Sequence, residues 1–213
     1  VIEKRIPKIE KKAQFKTDKE SVLEYNALMK IKKVLEDGKM AKEADLTEEE
    51  LLMIKNFCFL TMKPMIYVLN VSEDEINEDN DLVKSVMEYA SNHGCKTVKI
   101  SAKLEEELSQ LDDEEKEMFL EELGLEESGL DKLVAEAYKL LGLETFFTEG
   151  EKECRAWTFK KGMKAPECAG VIHTDFEKGF IKAEVVTYDD FIQYGSWAKV
   201  REAGKLRLEG KDY

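Results

Sequence analysis

The sequence predicts an α/β protein with a helical hairpin at one end and a small α+β module at the other. Two short apolar runs, over residues 65–69 and 98–100, flank a segment with apolar residues at helical spacing, which gives the order strand, helix, strand. Apolar residues also recur at helical spacing over residues 1–42, and after Gly142 the chain changes to short strand-like runs. These patterns predict helices packed around a strand pair, followed by a mixed module.

Residues 1–42 predict two helices that pack as an antiparallel pair. Pro7 has no backbone N–H, so we expect the first helix either to start near it or to kink there. Residues 17–20, with the sequence TDKE, fit a capping box that opens the second helix, and Asp37 and Gly38 predict its end. The apolar face of the first helix consists of Ile2, Ile6, Ile9 and Ala13.

The middle of the chain predicts a strand–helix–strand unit between further helices. Its strand-to-strand connection is expected to be right-handed, as such crossovers almost always are. The predicted elements are a capped helix from Thr47 through Leu60, a strand over 65–69, a helix over 79–93, a strand over 96–101, an acidic and helical segment over 103–123, and a helix that begins after Ser128 and ends at Gly142.

After Gly142 the sequence predicts a small α+β module. The runs TFFT and CRAWTF alternate in polarity on either side of residues 149–152, which predicts a β-hairpin with its turn there. A helix over 165–172, a strand over 181–188 and a helix over 189–203 are expected to follow.

Charge is distributed unevenly along the 213 residues, which carry a net charge of -13. Residues 1–42 hold 12 basic and 7 acidic side chains, whereas residues 56–143 hold 8 basic and 21 acidic ones. A basic arm of this kind is a weak indication of RNA binding, and Lys8, Lys11 and Lys12 are its candidate contacts. The alternative is a solvated helix pair with many lysines.

The four cysteines show no spacing typical of a metal site, and the two histidines do not cluster with them in the sequence. Unpaired thiols of this kind predict a reducing, cytoplasmic environment. No apolar run approaches the ~20 residues that span a membrane, so we expect no membrane partner. Because the chain begins at Val1 rather than Met, we expect it to be a fragment.

Polar residues follow both predicted strands at their C-terminal ends. The sequence NVSE occupies residues 70–73, and SAK occupies residues 101–103. Open α/β sheets bind ligands at this end of their strands, so the two tips predict a site that grips a nucleotide base. The alternative is a strand end with an asparagine turn and a solvated glutamate.

The chain resembles the YchF group of Obg-like ATPases. The resemblance covers nearly all of the chain and is carried by NVSE, by ISAK at residues 100–103, and by the long runs at residues 111–143 and 151–195. It implies a helical coiled-coil insertion over 1–50, the rear part of a P-loop GTPase-type G domain over 51–142, and a C-terminal TGS domain of β-grasp type over 143–213. The closing strands of the TGS domain are expected to be incomplete. The sequence contains no GxxxxGK[ST], so the phosphate-binding half is expected to be absent.

The resemblance also implies a base site in which Asn70 contacts the purine edge, Val71 contributes main-chain contact, and Ser101, Ala102 and Lys103 close the pocket. Related GTPases carry NKxD, whose aspartate reads guanine through two hydrogen bonds. Here Val71 replaces the lysine, and Glu73 is one methylene longer than the aspartate, so guanine discrimination is expected to be lost. ATP is then expected to be preferred over GTP.

The function implied by the resemblance is a switch ATPase that uses ATP or GTP with Mg²⁺ and associates with the ribosome, through its large subunit, or with RNA. The fragment itself is expected to bind no cofactor tightly and to be inactive. No recognition of a particular DNA sequence is expected. The alternative is a non-enzymatic RNA- or ribosome-binding adaptor. A plain coiled-coil scaffold does not explain residues 144–213.

Several other residues could take part in catalysis or binding but are interpreted as structural. Glu105, Glu106 and Glu107 are interpreted as a solvated first turn of a helix rather than an acid/base pair. His173 has no nucleophile in register and is expected to be structural or at the surface. Trp157 is expected to belong to the core rather than to a stacking platform.

Overall fold

The computed structural model describes residues 1–15, 18–150 and 153–213. The chain divides into two units, which are described separately below. Unit 1 comprises Val1–Tyr67 and Met87–Lys96, and unit 2 comprises Val68–Val86 and Thr97–Tyr213. The predicted domain division after residues 50 and 142 stays a prediction.

The mixed α/β class is confirmed, and the described residues form three two-stranded sheets that pair β1 with β2, β3 with β4, and β5 with β6. The strands are β1 (Ile66–Asn70), β2 (Lys96–Ile100), β3 (Leu143–Glu149), β4 (Cys154–Lys160), β5 (Ala183–Val185) and β6 (Arg207–Glu209). The helices are α1 (Ile2–Gln14), α2 (Lys19–Glu36), α3 (Glu48–Ile54), α4 (Asp81–Asn92), α5 (Ala102–Leu108), α6 (Asp113–Glu122), α7 (Gly129–Leu141), α8 (Ala165–Ile172), α9 (Thr174–Gly179), α10 (Tyr188–Tyr194) and α11 (Trp197–Glu202).

Unit 1 has a core formed by one face of each of its first two helices. Ile2 and Ile9 of α1 pack with Leu28 and Ile31 of α2, both of which are fully buried, and Ile54 of α3 completes the cluster. These residues recur at helical spacing, so removing them from water stabilises the helix pair. The two predicted helices are therefore confirmed, whereas their assignment as a coiled-coil insertion stays a prediction.

The boundaries of these helices differ from the expectation in two places. Helix α1 continues through Pro7, so the predicted start near Pro7 is wrong, while the alternative of a kink there stays a prediction. Helix α2 is capped by Asp18, whose carboxylate accepts hydrogen bonds from the N–H groups of Glu20 and Ser21. The cap thus lies one residue after the predicted Thr17, which falls outside the described residues.

Helix α3 begins as predicted but ends early. Thr47 and Glu50 form the expected capping box. The predicted continuation to Leu60 is wrong, because two 3-10 turns follow and Cys58 adopts a left-handed conformation with φ of 48°. This break lets the rings of Phe57 and Phe59 stack with centroids 5.6 Å apart against the core. In a continuous helix, side chains two positions apart would point in different directions.

Unit 2 contains a second, smaller core under its acidic helices. Leu104 and Leu108 of α5 pack with Leu120 of α6. The prediction that residues 103–123 are helical is confirmed for α5 and α6, which are separate helices because Asp112 accepts a hydrogen bond from the N–H of Glu115 and opens α6. Helix α7 begins after Ser128 and ends at Gly142 as predicted.

The C-terminal part of unit 2 contains the predicted hairpin. Strands β3 and β4 are antiparallel, with Phe146 opposite Trp157. Residues 151 and 152 of the predicted turn lie outside the described residues, while the N–H of Gly150 donates to the carbonyl of Glu153 at 3.0 Å. Helix α8 matches its predicted range.

The elements after α8 differ from the expectation. The predicted strand over 181–188 is reduced to β5, because the Thr187 hydroxyl accepts from the N–H of Asp190 and starts α10. The predicted helix over 189–203 is interrupted at Gly195, which has φ of 71°. Helix α9 and strand β6 were not predicted, and the β-grasp assignment stays a prediction. Within the described residues, no helix has the length and apolarity needed to cross a bilayer.

Glu50 is the most buried carboxylate described in unit 1. It is 4% exposed, and its Oε2 lies 2.8 Å from Lys30 Nζ and 2.9 Å from the N–H of Thr47. The hydrogen bond from Lys30 is the largest cause that lowers the pKa of Glu50, and it outweighs the opposing effect of burial. The charged carboxylate is therefore favoured in the folded state.

Unit 1 is predicted to lose stability as acid protonates Glu50. A lowered folded-state pKa gives stability that is present above the unfolded-state value of about 4.3 and is lost as the pH falls through the lower folded value. Denaturant unfolding of the chain and of Glu50→Gln, measured from neutral pH down to the acid range, should show a shallower decline for the variant. The exposed neighbour Glu48 provides the control Glu48→Gln, and equal slopes for Glu50→Gln and the unmodified chain would contradict the assignment.

Candidate functional site

The tips of β1 and β2 are joined by a side-chain hydrogen bond. Asn70, the last residue of β1, accepts with its Oδ1 from the N–H of Ala102 at 3.0 Å. The next N–H along the chain, that of Val71, donates to the carbonyl of Ile100 at 2.9 Å. Ala102 is the first residue of α5, so Asn70 satisfies one of the N–H groups that a helix leaves unpaired at its start. The NVSE and SAK segments therefore lie side by side, as predicted from their positions after the strands.

An ion pair forms a second bridge between the two segments. Lys103 Nζ lies 3.1 Å from Glu73 Oε2 and 3.6 Å from Glu107 Oε1. The hydrogen bond with Glu73 is the main cause that raises the pKa of Lys103. The lysine side chain is 70% exposed, so water and salt weaken this pair and it contributes little to folding. Its consequence is local, because in this arrangement the Glu73 carboxylate points towards Lys103.

Ser101 lies at the bottom of this arrangement. It is 1% exposed, and its Oγ is the buried side-chain polar atom that has no hydrogen-bond partner among the described residues. A buried hydroxyl without a partner typically costs about 1–3 kcal/mol. A hydroxyl in this position, directly before Ala102, has donor and acceptor capacity that no described protein group uses.

Helix α7 holds the end of β2 and the start of α5 in place. Glu105 Oε1 accepts from the N–H of Gly129 at 2.7 Å. A Cβ at Gly129 would lie 2.8 Å from Cγ2 of Ile100, so only glycine lets α7 begin this close to the strand. The interpretation of Glu105 as a solvated side chain is therefore wrong, because it caps the start of α7.

One part of the site could have been found in the sequence but was not predicted. Ser72 Oγ donates to Glu75 Oε2 at 2.8 Å, and Asn80 Nδ2 donates to Glu75 Oε1 at 2.9 Å. These bonds lower the pKa of Glu75, with that from Asn80 the largest cause. They hold the turn that carries Glu73. The signal was the S-x-x-E spacing of a capping box immediately after the strand.

The remaining candidates have structural contacts. His173 Nδ1 accepts from the N–H of Asp175 at 3.1 Å and caps α9, in agreement with its predicted structural role. Trp157 is half-buried, donates to Thr148 Oγ1 at 2.8 Å, and has Arg155 over its ring at 4.3 Å. Within residues 1–15, 18–150 and 153–213, no group of three or more His, Cys, Asp and Glu side chains could hold a metal ion.

The predicted RNA contacts lie on α1 in unit 1. Lys8, Lys11 and Lys12 are exposed, whereas Ile9 and Ala13 of the same helix are buried. The pKa of Asp18 at the start of α2 is lowered mainly by the hydrogen bond from the Ser21 side chain, and the charge of Lys12 adds a smaller effect. The helix thus presents a basic side away from its apolar side.

Comparisons with known proteins give the class of protein to which this mixed α/β fold belongs. The structure of the Schizosaccharomyces pombe YchF GTPase matches with a TM-score of 0.82 at 31% identity, over 100% of this chain and 58% of that one. The chain therefore has the fold of this part of a YchF GTPase. A family model named YchF-GTPase_C, described as a protein of unknown function (DUF933), matches residues 143–213.

Relatives from bacteria and animals match the whole chain. The ribosome-binding ATPase YchF of Bacillus subtilis is 52% identical over 100% of this chain and 58% of its own length. Obg-like ATPase 1 of Gallus gallus is 43% identical over 100% of this chain and 55% of its own length. The chain belongs to the YchF group of Obg-like ATPases. It spans little more than half the length of these relatives.

Proposed function

We propose that this chain is the base-recognising part of a nucleotide-dependent switch ATPase that prefers ATP to GTP and associates with the ribosome. The observation that supports this most strongly is the hydrogen bond from Ala102 to Asn70, which holds the two strand tips together. In this proposal Asn70 and Val71 meet the purine, and Ser101, Ala102 and Lys103 close the pocket around it.

The position of Glu73 supports the preference for adenine. A carboxylate that reads guanine must present both oxygens to the N–H groups of the base. Here one oxygen of Glu73 is held by Lys103 at 3.1 Å. Reading guanine would require this pair to separate, so Glu73 supplies less discrimination for guanine than a fixed aspartate would.

The Ala102 N–H supports the same conclusion. Guanine carries a carbonyl oxygen where adenine carries an amine, and that oxygen needs a donor. The Ala102 N–H is already used by Asn70 Oδ1 at 3.0 Å. A guanine in this pocket would have to break the Asn70 bond, which costs binding energy, or find another donor for its oxygen.

Restoring the residues of a guanine-reading site is predicted to shift the nucleotide preference. Val71→Lys combined with Glu73→Asp, in a protein that also carries a phosphate-binding half, should raise the affinity for GTP relative to ATP by roughly tenfold or more. Competition titration of the two nucleotides measures this ratio.

The matched control for the double variant is Glu107→Asp. Glu107 also pairs with Lys103 but lies within α5, so shortening it should leave the ratio unchanged. If the double variant kept the preference of the unmodified protein, the proposed reading of the base would be wrong.

Hydrolysis is proposed only for a protein that supplies the phosphate-binding half. Phosphoryl transfer needs a phosphate loop and Mg²⁺, and neither the sequence motif nor a metal-ligating cluster is found among the described residues. We assign no catalytic step to this chain, and expect it to bind nucleotide weakly and not to hydrolyse it. The cytoplasm is the compartment that this proposal implies.

Ribosome association is proposed from the relatives and from the basic side of α1. The Bacillus subtilis relative is named a ribosome-binding ATPase. Lysines that contact phosphates give affinity that does not depend on RNA sequence, so the exposed lysines of α1 fit a ribosomal RNA surface. The large subunit is the proposed location.

Reversing the charge of the arm is predicted to weaken ribosome binding. Lys8→Glu, Lys11→Glu and Lys12→Glu together should reduce co-sedimentation with ribosomes and flatten its dependence on salt, because fewer counterions are released. Reversal of Lys63, Lys84 and Lys96, which are also exposed, provides a control with the same change in net charge. Equal loss in both variants would mean that α1 is only a solvated helix.

A non-enzymatic adaptor is the second candidate function. It is favoured by the same basic arm together with the module over residues 143–213, because neither feature needs a nucleotide. The two candidates differ in one measurable property: only the switch predicts that ribosome binding changes when ATP is added to the complete protein.

A further inference from the structure

A lysine amine and a cysteine thiol lie in contact within unit 1, although 53 residues separate them along the chain. Lys42 belongs to the short 3-10 turn Ala41–Glu43 that follows the helix pair, and Cys95 lies between α4 and β2. Lys42 Nζ is 3.4 Å from Cys95 Sγ. Nothing in the proposed nucleotide site uses this pair.

The lysine is held in this position by a backbone acceptor. Its Nζ donates to the carbonyl of His93 at 2.6 Å, which is shorter than its distance to the sulfur. Its neighbour Ala41 is fully buried and donates its N–H to Thr61 Oγ1 at 3.1 Å. The Lys42 amine thus contacts the His93 carbonyl and the Cys95 sulfur, which places the amine beside the thiol.

The cysteine is equally constrained. Cys95 is 8% exposed, its N–H donates to the carbonyl of Ala90 at 2.8 Å, and its Sγ lies 3.5 Å from the His93 carbonyl. Both the amine and the thiol therefore converge on the same carbonyl. Because their hydrogen bonds already hold the Lys42 amine and the Cys95 thiol close together, little further conformational entropy is lost when the two groups react.

The other cysteines provide an internal comparison. Cys58 and Cys154 are exposed and Cys168 is partly buried. In the part of the chain that the structure describes, Lys42 is the only amine within hydrogen-bonding distance of a cysteine sulfur. Among the described residues, oxidation at the other three thiols therefore has no adjacent amine to capture the product.

We propose that Lys42 and Cys95 form a covalent, oxidation-dependent cross-link when the chain meets a peroxide. In the first step the sulfur attacks one peroxide oxygen, the O–O bond breaks and water leaves, so that the thiol becomes a sulfenic acid and the peroxide is reduced by two electrons. Sulfenic acids condense with a neighbouring nitrogen to give a sulfenamide.

In the second step the Lys42 ammonium first gives one proton to solvent, and the free amine nitrogen then attacks the sulfenic sulfur. The N–S bond forms, the S–O bond breaks, and the oxygen leaves as water with one proton from the amine. The net change is the loss of two hydrogen atoms from the chain, and a thiol reductant reverses it.

The cross-link would join the end of the helix pair to the start of β2. It closes a loop over residues 43–94, which contains α3, β1 and α4. A link across a loop of this length restricts the unfolded chain and so stabilises the folded one. The proposed effect is to fix the base of the helix pair under oxidising conditions.

Peptide mapping of the peroxide-treated chain tests the proposal. Mass spectrometry of a tryptic digest should show the Cys95 peptide joined to a peptide that remains uncleaved after Lys42, lighter by two hydrogen atoms than the sum of the separate peptides. Addition of dithiothreitol should restore both peptides. The thermal unfolding midpoint should rise after oxidation and return after reduction.

Two variants make the test specific. Lys42→Arg keeps a cation beside the sulfur but removes the amine, so the joined peptide should disappear while Cys95 still oxidises. Replacing Cys58, Cys154 and Cys168 by serine should leave the joined peptide intact. The proposal is overturned if the unmodified chain, at a peroxide dose that oxidises Cys58, shows Cys95 either unreacted or oxidised without any bond to Lys42.

Discussion

The contact on which the candidate site depends is the hydrogen bond between the Asn70 side chain and the Ala102 N–H. Backbone pairing brings β1 and β2 together only as far as the Val71 to Ile100 bond. Beyond that point the segments that follow the two strands would separate, because one forms a turn and the other begins helix α5. Asn70 continues the pairing with a side chain and supplies the cap that α5 otherwise lacks, since Ser101 provides no side-chain cap.

Neighbouring contacts arrange the other polar groups around this bond. Glu105 and Gly129 hold α7 against the end of β2, and Glu75 holds the turn that carries Glu73. The Glu73 carboxylate in turn points towards Lys103, with which it forms an ion pair. These are exposed or half-exposed interactions, so each contributes modestly to folding. Their common effect is to position groups, which is what recognition of a base requires.

The sequence predicted the elements whose signals are local. The capping box at Thr47 and Glu50, the serine cap at Ser128 and the glycine at 142 all occur where their spacing indicated, because each involves residues within one helical turn. The motif residues Asn70 and Ala102 were also predicted to lie near each other, because the carboxyl ends of strands joined by a helical crossover meet at the same edge of a sheet, and the two residues are hydrogen-bonded.

Features that depend on distant contacts could not be predicted in this way. The early end of α3 follows from packing of Phe57 and Phe59 on a core built by other helices. The role of Glu105 depends on Gly129, 24 residues later. Short elements such as β6 owe their conformation to a partner strand rather than to their own residues. In each case tertiary packing outweighs local preference.

Amide chemical shifts of the chain during titration with adenosine monophosphate test the central claim most directly. This part of the protein is expected to contact the base of the nucleotide. Millimolar adenosine monophosphate should therefore shift the amide resonances of Val71, Ala102 and Lys103. The amide resonances of the hairpin residues Phe146 and Trp157 should not change. Guanosine monophosphate should produce smaller shifts at the same concentration. If the shifts occurred elsewhere in the chain, or if guanosine monophosphate produced the larger ones at Ala102, the strand tips would not be the site that reads adenine.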